Sequence, residues 1–426
     1  MFDGNILNPM LTGDELVKTM RVIPEYDDSI ITKEKSCRLV ALSELYNVYL
    51  PSVMSEEIYS KIYLAILRSF RKKQGTIAVE QYNQNYRRIK GMTYQGIVGG
   101  SDSFTIIGSS GIGKSSAISR ALDIILSDSF VEFENAKVCP AVVVQCPFDS
   151  SIKGLALEVL RKIDSVIKTT YYEKALRSHA TIDVLIGVIS QVSLSHIGLL
   201  IIDEIQNCAV SKNGRTFIRS ITQLINSSGI SICMVGTPEC RLLFEKELQL
   251  ARRSMGLYYH TLAFDDYFID FCKTVFAFQY TKIKTDITEG IIEWLYEHSC
   301  GLVSVVISLL HDAQEIAILS EREIIDIKSL EDAYEKRTSM LHSFIKPSKV
   351  VNPRTTRVTK KNGEAIVEKI PAPENGIEPL KDTKMIQQYS IVEIVDQAKK
   401  NDFDVCEVLR QYCVVETISK DGIEIC

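Results

Sequence analysis

A glycine-rich segment with one lysine and several serines is the first place where residue types and spacing suit chemistry. The segment Gly108-Ser-Ser-Gly111-Ile-Gly113-Lys114-Ser115 follows an apolar, β-branched run and precedes a helical pattern. Its glycines allow the backbone to curl so that successive N–H groups point at one anion. The N-terminus of the following helix adds a positive dipole.

This strand–loop–helix context predicts a loop that binds the phosphates of a nucleoside triphosphate together with Mg²⁺; the alternative is a chance glycine-rich turn. In this pattern the lysine, Lys114, reaches the β- and γ-phosphates, and the Ser115 hydroxyl takes a place on Mg²⁺. The residues expected to line the loop are Gly108, Ser109, Ser110, Gly111, Ile112, Gly113, Lys114, Ser115 and Ser116.

Two adjacent acids end a second apolar run, Leu199-Leu-Ile-Ile-Asp203-Glu204. We expect Asp203, at the carboxyl end of a strand, to hold Mg²⁺ directly or through water. We expect Glu204 to position and deprotonate an attacking water molecule. The alternative is an acidic pair that caps the next helix, and the phosphate loop earlier in the chain favours the catalytic interpretation.

A threonine closes the next buried run, in Met234-Val-Gly-Thr237-Pro. A hydroxyl beside the strand that carries the two acids is suited to sensing the γ-phosphate or orienting the water. Gly-Thr-Pro is also an ordinary turn at the end of a strand, so both interpretations stay open.

Two adjacent arginines, Arg252 and Arg253, precede the last apolar run. An arginine placed on the γ-phosphate of a neighbouring subunit would stabilise charge in the transition state. The sequence does not distinguish the two residues from each other, and the alternatives are a solvated pair or a contact to DNA phosphates.

The segments that must position these residues alternate between short apolar runs and longer amphipathic ones. The apolar runs are SFTIIG, AVVVQC, GLLIID, ISICMVG and LYYHTLAF, and helical segments begin near Lys114, Ser151, Tyr172 and Arg215. Nearly continuous β-branched runs indicate strands buried on both faces of a largely parallel sheet. The alternation therefore predicts a three-layer α/β domain.

Five regions follow from the patterns and from shifts in composition. A mixed extension, residues 1–100, contains a helix at 56–71, and the α/β core covers 101–264. Residues 265–342 predict a helical lid. Five of the eleven prolines fall between Pro347 and Pro379, which indicates a basic, proline-rich linker at 343–380. A segment expected to bind a partner, with two short helices within 386–415, completes the chain at 381–426.

Composition limits the class of protein. The chain has 426 residues, of which 46% are hydrophobic and 24% are charged, and its net charge of −5 gives no support to a broad basic DNA-binding face. Eleven scattered cysteines without a Cys-x-x-Cys pair indicate a reducing compartment, with neither structural disulfides nor a zinc finger. No apolar stretch is long enough to span a bilayer, and the N-terminus is acidic. We therefore expect a cytoplasmic protein without membrane contact.

Taken together, the chain resembles TnsC-like AAA+ ATPases, the regulators of heteromeric bacterial transposons, over about residues 100–340. The segments that carry the resemblance, besides the phosphate loop and Arg252-Arg253, are Cys146-Pro-Phe-Asp-Ser-Ser-Ile-Lys153, Tyr172-Glu-Lys, Ile202-Asp-Glu-Ile-Gln206-Asn207, Gly236-Thr-Pro-Glu-Cys-Arg241 and Gly301-Leu-Val. One departure from many AAA+ proteins is that the lid segment after Gly301 has no arginine for the γ-phosphate.

The resemblance implies a P-loop domain with a parallel sheet of order 5-1-4-3-2 and a small helical lid. It implies ATP and Mg²⁺ bound between subunits, slow DNA-stimulated hydrolysis, and self-association into rings or filaments around duplex DNA. The partners that it implies are a target-selector protein and transposase subunits, which the ATPase links until hydrolysis disassembles the complex.

A ring around DNA needs phosphate donors on its inner side, which is compatible with an acidic total charge. Ser151 and Lys153, at the start of a predicted helix, are the best candidates, and the alternative is a helix cap with a solvated lysine. A second basic set is Arg71, Lys72, Lys73, Arg87 and Arg88, which is interpreted first as a surface face and alternatively as a contact to DNA or to a partner. The basic stretch 346–361 is a candidate flexible arm.

Two other functions fit the same core. A helicase loader or initiator-like remodeller shares the ATPase residues but is expected to carry a helicase-binding N-terminal module. A signalling or defence NTPase would use the nucleotide to control oligomerisation without DNA, and the tail shows no sensor repeats that favour it.

Overall fold

The computed structural model describes residues 7–73, short pieces between 79 and 93 (79–80, 83–84, 86–87 and 91–93), 103–126, 128–133, 136–177, 181–228, 230–241 and 256–342, and the backbone of 416–419 and 422–425. The chain divides into two units, residues 1–352 and 353–426. The finer division into five regions stays a prediction.

Within the residues that the structure describes, a six-stranded sheet organises the first unit. In chain order its strands are β1 (Phe104–Gly108), β2 (Val131–Phe133), β3 (Ala136–Gln145), β4 (Ile197–Asp203), β5 (Ser231–Gly236) and β6 (Leu257–Tyr259). Their order across the sheet is β2-β3-β4-β5-β1-β6. All pairs are parallel except β2–β3. The five parallel strands have the predicted order 5-1-4-3-2, and the antiparallel edge strand β2 was not predicted.

Helices cover both faces of this sheet, which confirms the three-layer architecture. Along β4, Leu199 and Ile201 belong to one buried cluster, whereas Leu200 and Ile202 belong to another. Alternate residues of the strand therefore face opposite layers, and this explains why β4 is an almost unbroken apolar run. One layer contains α1 (Gly13–Met20), α3 (Val53–Lys73) and α4 (Lys114–Ile125); the other contains α5 (Ile152–Ile167), α6 (Tyr171–Arg177), α7 (Ile182–His196) and α9 (Gly214–Ser228).

The predicted helix starts agree with the structure at α4, α5, α6 and α9. Helix α7 was not predicted. It is apolar around most of its circumference, with Leu185, Ile186, Ile189 and Val192 all buried, so it lacks a clear amphipathic stripe. A short helix, α8 (Asn207–Val210), follows the acidic pair at the end of β4.

Four helices form the lid: α10 (Asp266–Phe276), α11 (Glu289–Ser299), α12 (Val303–Leu319) and α13 (Ile327–Arg337). Their buried core also contains Leu42, Leu45, Val48 and Leu50, which follow α2 (Lys35–Ala41) near the N-terminus. The N-terminal segment is thus packed against the lid.

The second unit is described only as an antiparallel pair, β7 (Glu416–Ser419) and β8 (Gly422–Ile425). The two helices predicted within 386–415 lie outside the described residues. Among the residues that the structure describes, no single helix is long and apolar enough to cross a membrane; the bent pair α11–α12 passes that test only jointly.

A buried ion pair fastens the N-terminal segment to the lid. The guanidinium of Arg38, on α2 and 1% exposed, donates to both carboxylate oxygens of Glu323 at 2.6 Å and to the Tyr280 carbonyl oxygen at 2.9 Å. This contact lowers the pKa of the Glu323 carboxyl.

Replacing Arg38 by alanine should lower the free energy of unfolding by about 3–5 kcal/mol, because Glu323 is left as a buried charge without its partner. Urea denaturation followed by circular dichroism measures this. Lys35→Ala is the matched control on the same helix: its pair with Glu321, at 3.3 Å with side chains 38% and 80% exposed, should contribute about 1 kcal/mol or less. Equal losses in the two variants would contradict this account.

Candidate nucleotide-binding site

The loop between β1 and α4 forms an open cradle of backbone donors. Gly111 and Gly113 have φ values of +83° and +95°, a region that residues with a Cβ rarely adopt, so the turn requires glycine at both positions. Within the described structure, the backbone N–H groups of residues 110–113 donate no hydrogen bond to protein. Free donors at the start of a helix suit a phosphate group.

Lys114 lies within this cradle and is 8% exposed. Its Nζ atom donates to the carbonyl oxygens of Gly108 at 2.7 Å and Ser109 at 2.8 Å. Burial lowers the pKa of the Lys114 ammonium, and the carboxylates of Asp203 and Glu204 oppose that shift. The cation is thus held beside the free N–H groups, where a phosphate would be bound.

The structure brings Ser115 and Asp203 together although they are far apart in the chain. The Ser115 hydroxyl donates to Oδ2 of Asp203 at 3.0 Å, and Oδ1 accepts the N–H of Glu204 at 2.8 Å. A hydroxyl and a carboxylate form the hard oxygen set that suits Mg²⁺, so the residues present fit this ion.

Glu204 and Thr237 lie at the carboxyl ends of neighbouring strands, β4 and β5. Glu204 has an exposed side chain and a φ of +59°. Its carboxylate accepts a hydrogen bond from Nε2 of Gln206, whose Oε1 accepts the backbone N–H of Thr237 at 3.2 Å. Gln206 was not assigned a role from the sequence.

A cavity of about 860 Å³ surrounds these groups. Asp203, Glu204, Thr237 and most of the loop line one side of it. The lid closes over the loop, where the N–H of Ser304, at the start of α12, donates to the Gly111 carbonyl oxygen at 3.2 Å.

Another part of the cavity wall was missed by sequence reasoning. It consists of apolar and aromatic residues from the N-terminal segment and the lid, which offer a surface for a planar base: Tyr46, Val48, Tyr49, Leu50, Tyr267, Phe271 and Ile307. These residues carry no motif, and only the packing of the N-terminal segment on the lid brings them to the cavity.

The predicted arginine finger is not placed by the structure. Arg252 and Arg253 lie outside the described residues. Arg88 and the basic stretch 346–361 also lie outside them.

The predicted DNA contacts, Ser151 and Lys153, lie where the loop after β3 meets α5, and this loop lies beside the loop after β4. Ser151 caps α5, because its Oγ accepts the N–H of Gly154 at 3.1 Å, and Lys153 is exposed in the first turn. Beside them Phe148 is 89% exposed, and Val210, after β4, is 87% exposed. The two loops are joined through the Asp149 carbonyl oxygen, which accepts hydrogen bonds from Ser211 and Asn213 at 3.1 and 3.2 Å.

The basic residues that follow the predicted helix at 56–71 include Lys73, and the interpretation of this set as a surface face is wrong for Lys73. Its Nζ atom donates to the carbonyl oxygens of Ser193, at 3.1 Å, and Leu194, near the C-terminus of α7. Burial lowers the pKa of this lysine to about 7. Lys73 therefore fastens α3 to α7, because carbonyl oxygens at the C-terminal end of a helix attract a cationic donor.

The strand order, the phosphate loop and the lid define the first unit as an AAA+ P-loop domain. Residues 71–257 match the family model described as bacterial TniB protein. This stretch contains the phosphate loop, the acidic pair and Thr237, and the match confirms the resemblance to TnsC-like AAA+ ATPases. No curated protein sequence is significantly similar to the chain.

Solved structures with a related fold include several AAA+ proteins. The ORC2 protein of Aeropyrum pernix is 14% identical, with 62% of this chain and 68% of that chain covered and a TM-score of 0.38. Drosophila ORC bound to DNA is 10% identical, with 95% of this chain and 82% of that chain covered and a TM-score of 0.43. The RuvB Holliday junction branch migration motor of Thermotoga maritima is 12% identical, with 82% of this chain and 91% of that chain covered and a TM-score of 0.34. At these low values, the fold assignment rests on the strand order and the loop.

Lys114→Ala should abolish measurable ATP binding, because it removes the cation beside the free N–H groups while leaving the loop backbone in place. Titration with a fluorescent ATP analogue measures this. Lys18→Ala, which removes an exposed lysine at the end of α1, should bind with the affinity of the original chain. Unchanged affinity in Lys114→Ala would contradict the assignment of the loop.

Proposed function

We propose that this chain is an ATP-dependent, DNA-binding AAA+ regulator of transposition, which assembles on target DNA and links a target selector to the transposase. The convergence of Lys114, Ser115, Asp203 and Glu204 on one cradle of free backbone donors is the observation that carries the ATPase part of the proposal, because these groups suit phosphate and Mg²⁺ binding and activation of water. The match of residues 71–257 to the bacterial TniB family model supports the role in transposition.

In the proposed reaction, the N–H groups of the loop and the Lys114 ammonium bind the β- and γ-phosphates. Ser115 and Asp203 would hold Mg²⁺, which neutralises charge on the phosphate oxygens when bound. Glu204 accepts a proton from the attacking water at its carboxylate, and the Thr237 hydroxyl orients the γ-phosphate or the water.

We further propose that Arg252 or Arg253 of a neighbouring subunit stabilises the charge of the transition state. Hydrolysis would then depend on assembly, since a single chain would lack this arginine at its own site. Oligomerisation on DNA would thereby control both the start of hydrolysis and the disassembly that follows.

The proposed DNA-contacting surface comprises Phe148, Ser151, Lys153, Lys212 and Arg215. Lys153, Lys212 and Arg215 are exposed cations, and they lie at or just before the N-termini of α5 and α9. Two helix N-termini and three cations suit contacts to DNA phosphates. The exposed ring of Phe148 adds apolar surface beside them.

Glu204→Gln should trap an ATP-bound oligomer on DNA, because the amide keeps the shape of the side chain but accepts no proton. We expect hydrolysis to fall by about 10²–10⁴-fold with ATP affinity retained. Phosphate release measures the rate. Electron microscopy with a duplex of about six helical turns shows the assembly.

Glu173→Gln is the matched control, since it makes the same change on a solvent-exposed carboxylate of α6. Normal hydrolysis in Glu204→Gln would place the base elsewhere. Oligomers that form with ATP but ignore DNA would overturn the proposed function and favour a nucleotide-gated signalling switch.

Lys153→Ala should weaken DNA binding and reduce the slope of log affinity against log salt by about one for each contacting protomer. Fluorescence anisotropy with a labelled duplex at several salt concentrations measures both quantities. Lys168→Ala removes an exposed lysine at the other end of α5 and should leave both unchanged. If the two variants bind alike, the DNA surface lies elsewhere.

A further inference from the structure

The side chain of Gln206 joins the two groups that the proposed hydrolysis needs beside the γ-phosphate. Its Nε2 donates to Oε2 of Glu204, and its Oε1 accepts the backbone N–H of Thr237 at 3.2 Å. Both polar atoms of the amide therefore form hydrogen bonds, one with the residue after β4 and the other with the residue after β5.

The backbone around Gln206 is fixed independently of this side chain. The N–H of Ile205, which is buried, donates to the Val235 carbonyl oxygen at 3.0 Å. The side chain of Asn207 donates to the Cys146 carbonyl oxygen at 2.9 Å. Replacing Gln206 should therefore remove the amide bridge without releasing the loop.

Close packing over a glycine holds the amide in place. A Cβ on Gly236 would lie 2.9 Å from Oε1 of Gln206 and 2.6 Å from Cγ2 of Ile205. The absence of a side chain at Gly236 thus leaves the space through which Gln206 reaches the Thr237 amide.

Glu204 depends on this bridge for its orientation. Within the part of the chain that the structure describes, Gln206 is the one residue that donates a hydrogen bond to the Glu204 carboxylate. The Glu204 side chain is exposed, and its backbone has the left-handed φ of +59°. Without the amide, the carboxylate would be free to adopt other rotamers in the cavity.

We propose that Gln206 is a positioning residue for ATP hydrolysis: it orients the Glu204 carboxylate and links this orientation to the position of the loop that carries Thr237. The inference rests on the proposed function, because it assigns Glu204 as the base. A displacement of the Thr237 backbone would move Oε1 of Gln206 and, through the rigid amide, the donor that holds Glu204.

The test measures single-site ATP affinity and steady-state hydrolysis on DNA for the full chain and for Gln206→Ala. We expect kcat to fall by about 10- to 100-fold, because a misplaced catalytic group costs about that much. The dissociation constant for ATP should change by less than about twofold, since Gln206 touches neither the loop nor Lys114 in the described contacts. Melting temperatures show that each variant is folded.

Two further substitutions separate positioning from a structural role. Gln206→Asn keeps an amide but is one methylene shorter, so it cannot span both partners and should resemble Gln206→Ala. Gln206→Glu keeps the reach but places a second carboxylate beside Glu204. It should lower kcat at least as much as Gln206→Ala, because a carboxylate at this position repels the Glu204 carboxylate and donates no hydrogen bond to it.

Gln223→Ala is the matched control, since it makes the same change on α9 at a residue without a described contact to Glu204 or Thr237, and it should keep kcat within about threefold of the original chain. The inference is overturned if Gln206→Ala hydrolyses ATP at the original rate or faster, or if Gln223→Ala loses as much activity. If the unaltered chain binds ATP and DNA but shows no hydrolysis, the proposed function itself fails.

Discussion

The parallel pairing of β1, β5 and β4 is the constraint on which the site depends. Strand β5 lies between the other two, with Ile107 opposite Gly236 and Met234 opposite Ile202. Because parallel strands end at the same edge of a sheet, the phosphate loop, Thr237 and Asp203 come to lie side by side. The hydrogen bond between Ser115 and Asp203 follows from this pairing, although 88 positions separate the two residues. Any change of register in β5 would separate the loop from the acids.

The cavity also needs walls that the sheet does not supply. Leu42, Leu45, Val48 and Leu50 share one buried core with the lid, and the Arg38–Glu323 pair anchors the helix that precedes them. The lid touches the phosphate loop through Ser304 and Gly111. The N-terminal segment, the lid and the loop therefore form a chain of contacts around the cavity, so that the position of the lid is linked to the space available for a bound base.

The parts that sequence patterns predicted are those in which local chemistry and tertiary structure impose the same residues. Glycines at 111 and 113 are required by positive φ, and the apolar runs that end at Asp203 and Thr237 are buried on both faces. The parts that were missed depend on distant partners. Nothing local distinguishes Tyr46 or Leu50 as cavity residues. The sequence around Lys73 is that of a basic helix end on a surface, and its contact with α7 follows only from the tertiary structure. Gln206 stands in a recognisable motif, but its contacts depend on the side chain reaching across to the next strand.

The loop after β4 contacts both the groups proposed for hydrolysis and the proposed DNA surface. Toward the cavity, Gln206 holds Glu204 and contacts the Thr237 backbone. In the other direction, Asn207 binds the Cys146 carbonyl oxygen, and Ser211 and Asn213 bind the Asp149 carbonyl oxygen, one residue after the exposed Phe148 and four before Lys153. These hydrogen bonds connect the two surfaces within a few residues. A displacement of the Phe148–Lys153 loop by DNA would therefore act on the backbone that carries Glu204, which would give the proposed stimulation of hydrolysis by DNA a physical route.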